Sequence, residues 1–200
     1  MSMKQRIAVI DYNAGNVQSV LYALDRFDVN AVLTRDPEII LQADKVLFPG
    51  VGEASSTMRF LRSFDLDQLL PQLKQPMLGI CLGLQLMCEH SEENDTTCLG
   101  ILPVKVKRFV APDPSFKIPH MGWNQLIVST KDWIPQVFHD QYVYFVHSYY
   151  AELNPYTIAQ CEYGQTFSAI IRKDNFFATQ FHVEKSGPIG LNILETFLKM

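Results

Sequence analysis

Residues 78–87 read LGICLGLQLM, and they place a cysteine between two glycines where an apolar run passes into a helical pattern. Gly79-Ile80-Cys81-Leu82-Gly83 has the form G-x-C-x-G, the sulfur counterpart of the G-x-S-x-G nucleophile elbow. In such an elbow a strained strand-to-helix turn holds the nucleophile out of the sheet. The crowding at its apex favours neighbours without side chains. The start of the following helix favours thiolate over thiol. A structural cysteine packed between two glycines has the same letters, so this stretch alone leaves both readings open.

The flanking sequence supplies the sheet that an elbow needs. RIAVIDY (6–12) is a nearly continuous apolar run of the kind buried on both faces of a parallel sheet. Asn16 is placed to cap an amphipathic stretch, VQSVLYALDRF, and VNAVLT (29–34) is the next strand. PEIILQAD, KVLFPG (45–50), a helix around STMRFLRSF and then PMLGIC continue the alternation up to the elbow. The pattern predicts an α/β fold of three layers, with a mostly parallel central sheet flanked by helices. The second half is richer in strands: LPVKVKRFV, the segment around WNQLIV, YVYFVHSYY, YTIAQCEYG, FSAIIRK and NFFATQFHVE, before a final helix over about 187–199. APDPSFKIP (111–119) reads as a surface loop, and no repeat or linker divides residues 1–200, so one domain is expected.

Composition narrows the function classes. The chain is 48% hydrophobic and 19% charged, with a formal charge of −4, so nothing suggests a basic nucleic-acid face. No apolar run approaches the roughly 18 residues needed to cross a bilayer. The N-terminus enters a strand pattern without a signal-peptide core, which points to the cytoplasm. Cys81, Cys88, Cys98 and Cys161 lack paired C-x-x-C spacing, so neither a metal site nor a disulfide framework is expected. Cys88, seven residues after Cys81, reads as a core residue on the same helical face.

A nucleophilic cysteine needs a base and a group to orient that base. Of the five histidines, His90, His120, His139, His147 and His182, the last lies in QFHVEKS (180–186). If that stretch ends a strand, alternation puts His182 and Glu184 on one face and Val183 on the other. An exposed His and Glu at a strand end would read the same way, but with the elbow the pair points to a Cys81-His182-Glu184 triad. FPGVGE (48–53) brings Gly50, Val51 and Gly52, whose backbone N–H groups together with that of Leu82 suit an oxyanion hole. The phosphate-loop and dinucleotide-binding patterns are absent.

DYNAGN, LFPGVG, GICLGLQLM, PHMGWN, FVHSYY and QFHVEKS lie in order from residue 11 to 186. With these motifs the chain resembles the class I (triad) glutamine amidotransferases, and among them the glutaminase subunits of imidazole glycerol phosphate synthases. Val183 departs from the proline usual there, a change that an extended backbone tolerates. The resemblance implies glutamine as substrate, no cofactor and no metal. It also implies that Gln85, Glu93, Ser148 and Tyr149 bind the substrate's polar end. Ordinary helix-surface roles for Gln85 and Glu93 stay open.

Ammonia released into neutral water is protonated and lost as a nucleophile, and nothing here resembles an acceptor-binding domain. The resemblance therefore implies a heterodimer with a (β/α)₈ cyclase subunit. That subunit would take a phosphoribulosyl aminoimidazole carboxamide ribotide to imidazole glycerol phosphate and aminoimidazole carboxamide ribotide. Asn13, Asn16, His120, Trp123 and Lys185 fall on the implied partner face and ammonia gate, with a core position open for Trp123. Related amidotransferases that serve another barrel, as in surface-sugar synthesis, share the triad. A DJ-1-type cysteine protein has a similar elbow but lacks the PGVG loop and the C-terminal H-x-E. A catalytically dead binding subunit would not need the complete triad.

Overall fold

The computed structural model describes residues 4–13, 17–129 and 132–200. The first half alternates as the apolar pattern requires: β1 (Gln5–Ile10), α1 (Val17–Leu24), β2 (Val29–Thr34), α2 (Pro37–Gln42), β3 (Lys45–Phe48), α3 (Ala54–Ser63), α4 (Leu66–Leu69), β4 (Met77–Ile80) and α5 (Leu82–Met87). Side-chain caps start two of these helices. Asp36 accepts from the Glu38 N–H at 2.8 Å, and Glu53 accepts from the Ser55 and Ser56 N–H groups at 2.7 and 2.8 Å. The second half supplies β5 (Cys88–Ser91), β6 (Thr96–Thr97), β7 (Leu102–Arg108), β8 (His120–Gln125), β9 (Ile127–Val128), β10 (Tyr142–His147), β11 (Tyr149–Ala151), β12 (Thr157–Tyr163), β13 (Gln165–Lys173), β14 (Phe176–Thr179) and α6 (Gly187–Leu198).

The main sheet has the order β2-β1-β3-β4-β14-β13-β12-β9. Its first five strands are parallel and the last three antiparallel, so the sheet is mixed. Alternation along the strands makes the layers. Ile7, Val9, Leu47, Leu78 and Ile80 pack with Val20 of α1 and Ile193 and Phe197 of α6. On the other face Ala8, Ile10, Val46, Phe48 and Met77 pack with Ile40 of α2 and Met58 and Leu61 of α3. Each of the larger of these buried side chains, Val, Leu, Ile, Phe or Met, contributes about 1.5–3 kcal/mol. A ribbon of β8 and β10 and a small sheet of order β11-β7-β5-β6 complete the fold.

Register positions the site. Met77 of β4 pairs with Val46 on one side and Phe176 on the other, and Ile80 pairs with Thr179. The carboxyl ends of β4 and β14 therefore lie side by side, and the Cys81 N–H donates to the Thr179 carbonyl at 2.7 Å.

Several sequence expectations change. WNQLIV breaks at Leu126 into β8 and β9, and YVYFVHSYY breaks at Ser148 into β10 and β11, because the chain there passes from one sheet to another. β14 ends at Thr179, and Val183–Lys185 form a 3-10 turn, so strand alternation does not set His182 beside Glu184. α5 stops after six residues, and Cys88 opens β5 rather than sharing a helical face with Cys81. Cys88 is a fully buried core residue all the same, its thiol donating to the Leu84 carbonyl.

Candidate active site

Cys81 has φ +53° and ψ −106°, a left-handed-side conformation that a residue with a Cβ rarely adopts. Backbone packing around it enforces the turn. A Cβ on Gly83 would overlap the Phe48 carbonyl, and one on Gly50 would overlap the Ile80 carbonyl and the Leu82 and Gly83 nitrogens. The glycines of the elbow and of the PGVG loop are therefore one device: they let two backbone segments touch directly beneath the sulfur.

His182 is 1% exposed. Its Nδ1 lies 2.8 Å from Oε1 of Glu184, whose side chain is buried too. The 3-10 turn at Val183–Lys185 folds the carboxylate back onto the ring. The other ring nitrogen is not engaged by Glu184, and both His182 and Cys81 line the same cavity. Burial opposes a charge on this ring, but the Cys81 sulfur and then the Glu184 carboxylate outweigh it and raise the imidazole above the usual histidine range. An imidazolium at His182 is thus favoured from two sides, by the elbow sulfur and by the carboxylate.

Cys81 and His182 open on a cavity of about 360 Å³. Its wall includes Cys81, His182 and all eight residues expected to form the oxyanion and substrate sites: Gly50, Val51, Gly52, Leu82, Gln85, Glu93, Ser148 and Tyr149. Three of them carry contacts that redefine what they can do. The Val51 N–H donates to the Tyr12 hydroxyl at 3.0 Å, and that hydroxyl donates to the Pro49 carbonyl at 2.8 Å, so this loop donor is engaged away from the sulfur. Gln85 is 4% exposed, which rules out a helix-surface role, and its Nε2 donates to the Tyr149 carbonyl at 2.8 Å. Glu93 is half-buried and accepts from the Ala54 N–H at 2.7 Å, while burial raises its carboxyl.

Pro119, Val146 and His147 also line the cavity, and Gln180 meets the sulfur from behind, its Nε2 3.7 Å from Sγ. Sequence reasoning assigned no role to these four. A glutamine inside the apolar run FFATQF was the one signal that could have marked Gln180.

The partner-face expectations divide. Asn13 and Lys185 are exposed, and Trp123 is 55% exposed with its ring edge-on to Tyr144, which excludes a core role. His120 is 3% exposed and stacked between Phe145 and Tyr163, so it is no contact residue. Alternation along β8 turns Met121 and Trp123 outward instead. Asn16 lies outside the described residues. Among the described residues no helix is long and apolar enough to cross a membrane, and no cluster of His, Cys, Asp or Glu could hold a metal.

The sequence pattern described as "Glutamine amidotransferase class-I" matches residues 8–200. "Imidazole glycerol phosphate synthase subunit HisH" of Bacteroides fragilis is 51% identical over 98% of this chain and 100% of its own length. The protein of the same name from Idiomarina loihiensis is 42% identical over 97% of each chain. Among solved structures, PurLQS from Thermotoga maritima superposes with a TM-score of 0.70 at 17% identity, covering 98% of this chain and 99% of that one. A structure described as a glutamine amidotransferase gives the same score at 17% identity, covering 95% and 98%. At that identity the structural likeness speaks for the fold alone.

Proposed function

The chain belongs to the class-I glutamine amidotransferase family, in its imidazole glycerol phosphate synthase branch, and we propose that Cys81, His182 and Glu184 are the triad through which it hydrolyses glutamine. The observation that carries this reading is the buried imidazole held between the Glu184 carboxylate and the elbow sulfur at the wall of the cavity.

Cys81 gives its proton to His182 Nε2, and the sulfur attacks the side-chain amide carbon of glutamine. The tetrahedral oxyanion forms against the Leu82 N–H and the 50–52 loop. Its collapse breaks the C–N bond while His182 returns the proton to nitrogen, so neutral ammonia leaves and a glutamyl thioester remains. Water then attacks the thioester carbon, and His182 takes its proton. The C–S bond breaks, releasing glutamate, and the sulfur recovers the proton. Each oxyanion donor is typically worth on the order of 10² to 10³ in rate. With the Val51 N–H on the Tyr12 hydroxyl, that donor's share of the factor requires Val51 to leave Tyr12. Glu93 and the Ser148–Tyr149 backbone face the cavity where the substrate's ammonium and carboxylate would lie.

The relatives' names describe one subunit of a synthase, and the acceptor for ammonia accordingly belongs to a partner subunit. We assign that partner a (β/α)₈ cyclase fold. The exposed pair Met121 and Trp123 on β8, with Asn13 and Lys185, supports a docking face there. A single domain over residues 1–200, acting in the cytoplasm, completes the reading. The test is glutamate production by the purified chain, alone and then with the cyclase subunit and its ribotide substrate. A low rate that rises with both additions, and falls to background in Cys81→Ala while the variant still melts cooperatively, is the expected result. Hydrolysis retained by Cys81→Ala would overturn the triad.

A further inference from the structure

We propose that Gln180 is a catalytic residue: its side-chain amide donates a hydrogen bond to the Cys81 sulfur and stabilises the thiolate, while Gln85, His147 and His120 act as positioning residues that hold the amide in that orientation. This rests on Cys81 being the nucleophile.

Gln180 is wholly buried, with Nε2 3.7 Å from Sγ of Cys81 and Oε1 3.1 Å from Nε2 of Gln85. The neighbours fix which end of the amide faces the sulfur. Gln85 Nε2 has two hydrogens, one directed at Gln180 Oε1 and one at the Tyr149 carbonyl. Reversing Gln180 would set its NH₂ against the NH₂ of Gln85 and its oxygen against the sulfur. Reversing Gln85 would set oxygen against the Tyr149 carbonyl. Only one arrangement satisfies both amides.

That carbonyl is itself held from the other side, where His147 Nδ1 lies 2.7 Å away and must carry a hydrogen. In a neutral ring Nε2 is then an acceptor, and it receives Nδ1–H of His120 at 3.0 Å. His120 Nε2 in turn faces the Asn124 amide at 3.4 Å. Burial keeps both rings neutral, pushing His120 down to about 4 and His147 to about 3. A chain of oriented hydrogen bonds thus runs from β8 to the nucleophile, and each group along it is buried apart from Asn124 and the Tyr149 backbone.

Beside the imidazole of His182, the sulfur gains from such a donor: among the described residues no lysine or arginine lines the cavity, and α5, whose dipole would help, has only six residues. The Val146 carbonyl, 3.9 Å from Sγ, accepts from the thiol and repels the thiolate. A hydrogen bond to a charged acceptor opposes both effects. It acts twice per turnover, when the sulfur attacks and when it departs from the thioester.

The experiment is the pH profile of iodoacetamide alkylation at Cys81, which alone of the four cysteines lines the cavity, read by peptide mass to separate it from Cys88, Cys98 and Cys161, together with single-turnover thioester formation. Gln180→Met removes the donor at similar volume. The expected result is a profile midpoint about one unit higher and acylation about tenfold slower, at the lower end for a hydrogen bond to a charged group, with KM little changed. A folded Gln180→Met with the wild-type midpoint and rate overturns the proposal. Should that variant not fold, side-chain amide NMR of the unmodified chain decides. One buried glutamine NH₂ pair should shift in step with the alkylation profile and lose that titration in Cys81→Ala, and its absence overturns the proposal. Glutamine hydrolysis surviving in Cys81→Ala would instead remove the nucleophile assignment itself.

Discussion

Replacing His120 with glutamine takes away one of two imidazoles that the fold holds neutral, and the pH dependence of stability should report it. In the unfolded chain each histidine titrates near 6.5. In the folded chain burial pushes His120 down to about 4 and His147 to about 3. The folded values lie below the unfolded one, so protons bind the unfolded chain more readily and stability is lost as pH falls below about 6.5. At pH 5 the unfolded side chain is about 1.5 units below its midpoint. At about 1.36 kcal/mol per unit that costs about 2 kcal/mol for each histidine, however far below 5 the folded value lies. His182 works in the opposite sense. Its folded value is raised, so its contribution is complete below 6.5 and fades as pH climbs towards that value, offsetting about 2 kcal/mol over the same range. Carboxylates held low, such as Glu53 at about 2, lose their contribution only below their unfolded range near 4.5. Wild type should therefore lose a net 2 kcal/mol or so between pH 8 and 5, and His120→Gln close to none. Glutamine can still donate to His147 Nε2, which limits collateral damage. Urea unfolding at pH 8, 7, 6 and 5, followed by tryptophan fluorescence, measures both proteins. Parallel curves would refute the reasoning, because His120 would then carry its proton equally in both states.

Three further outcomes are expected. Gly50→Ala drives a methyl group into the backbone of the elbow, and a shift near 1 Å at the sulfur should lower kcat/KM for glutamine about 100-fold or more, as steady-state assays will show. Tyr12→Phe removes the hydroxyl that engages the Val51 N–H, so hydrolysis without the partner should rise severalfold; a fall would mean that Tyr12 supports the loop in its working position. Lys185→Ala, on the exposed side of the turn that carries Glu184, should leave glutaminase activity intact and lower the yield of cyclase product per glutamate formed. Unchanged coupling in the reconstituted complex would remove Lys185 from the gate.

What could be read in the sequence was whatever has a local cause. The apolar runs of β1 to β4, the elbow glycines and the surface loop at 111–119 follow from neighbours a few positions apart. The pairing of His182 with Glu184 was foreseen for the wrong reason, since a 3-10 turn rather than strand alternation joins them. The length of α5 was misjudged because the helical pattern of LGLQLM runs on into CEHS, which pairs with β7 instead. The resemblance put His120 on the partner face together with Trp123 of the same PHMGWN motif, yet alternation sends their side chains to opposite sides of β8. Gln180, His147 and Tyr12 stayed silent because their meaning lies in partners remote along the chain: the Cys81 sulfur, the His120 ring and the Val51 N–H.

The placement of β14 against β4 has a bearing on biosynthesis. Gln180 and Cys81 stand 99 positions apart, so the strand leading to the base leaves the ribosome well after the elbow. A nascent chain that stops short of residue 176 has its nucleophile but lacks His182, Glu184 and the neighbour that completes β4. On the proposed triad such a fragment cannot consume glutamine. Until β14 arrives, however, β4 is an open apolar edge of the sort that recruits other chains. On the proposed triad, hydrolytic competence and protection from aggregation are thus reached in the same step of synthesis, and a truncated product is inert in catalysis but hazardous in solution.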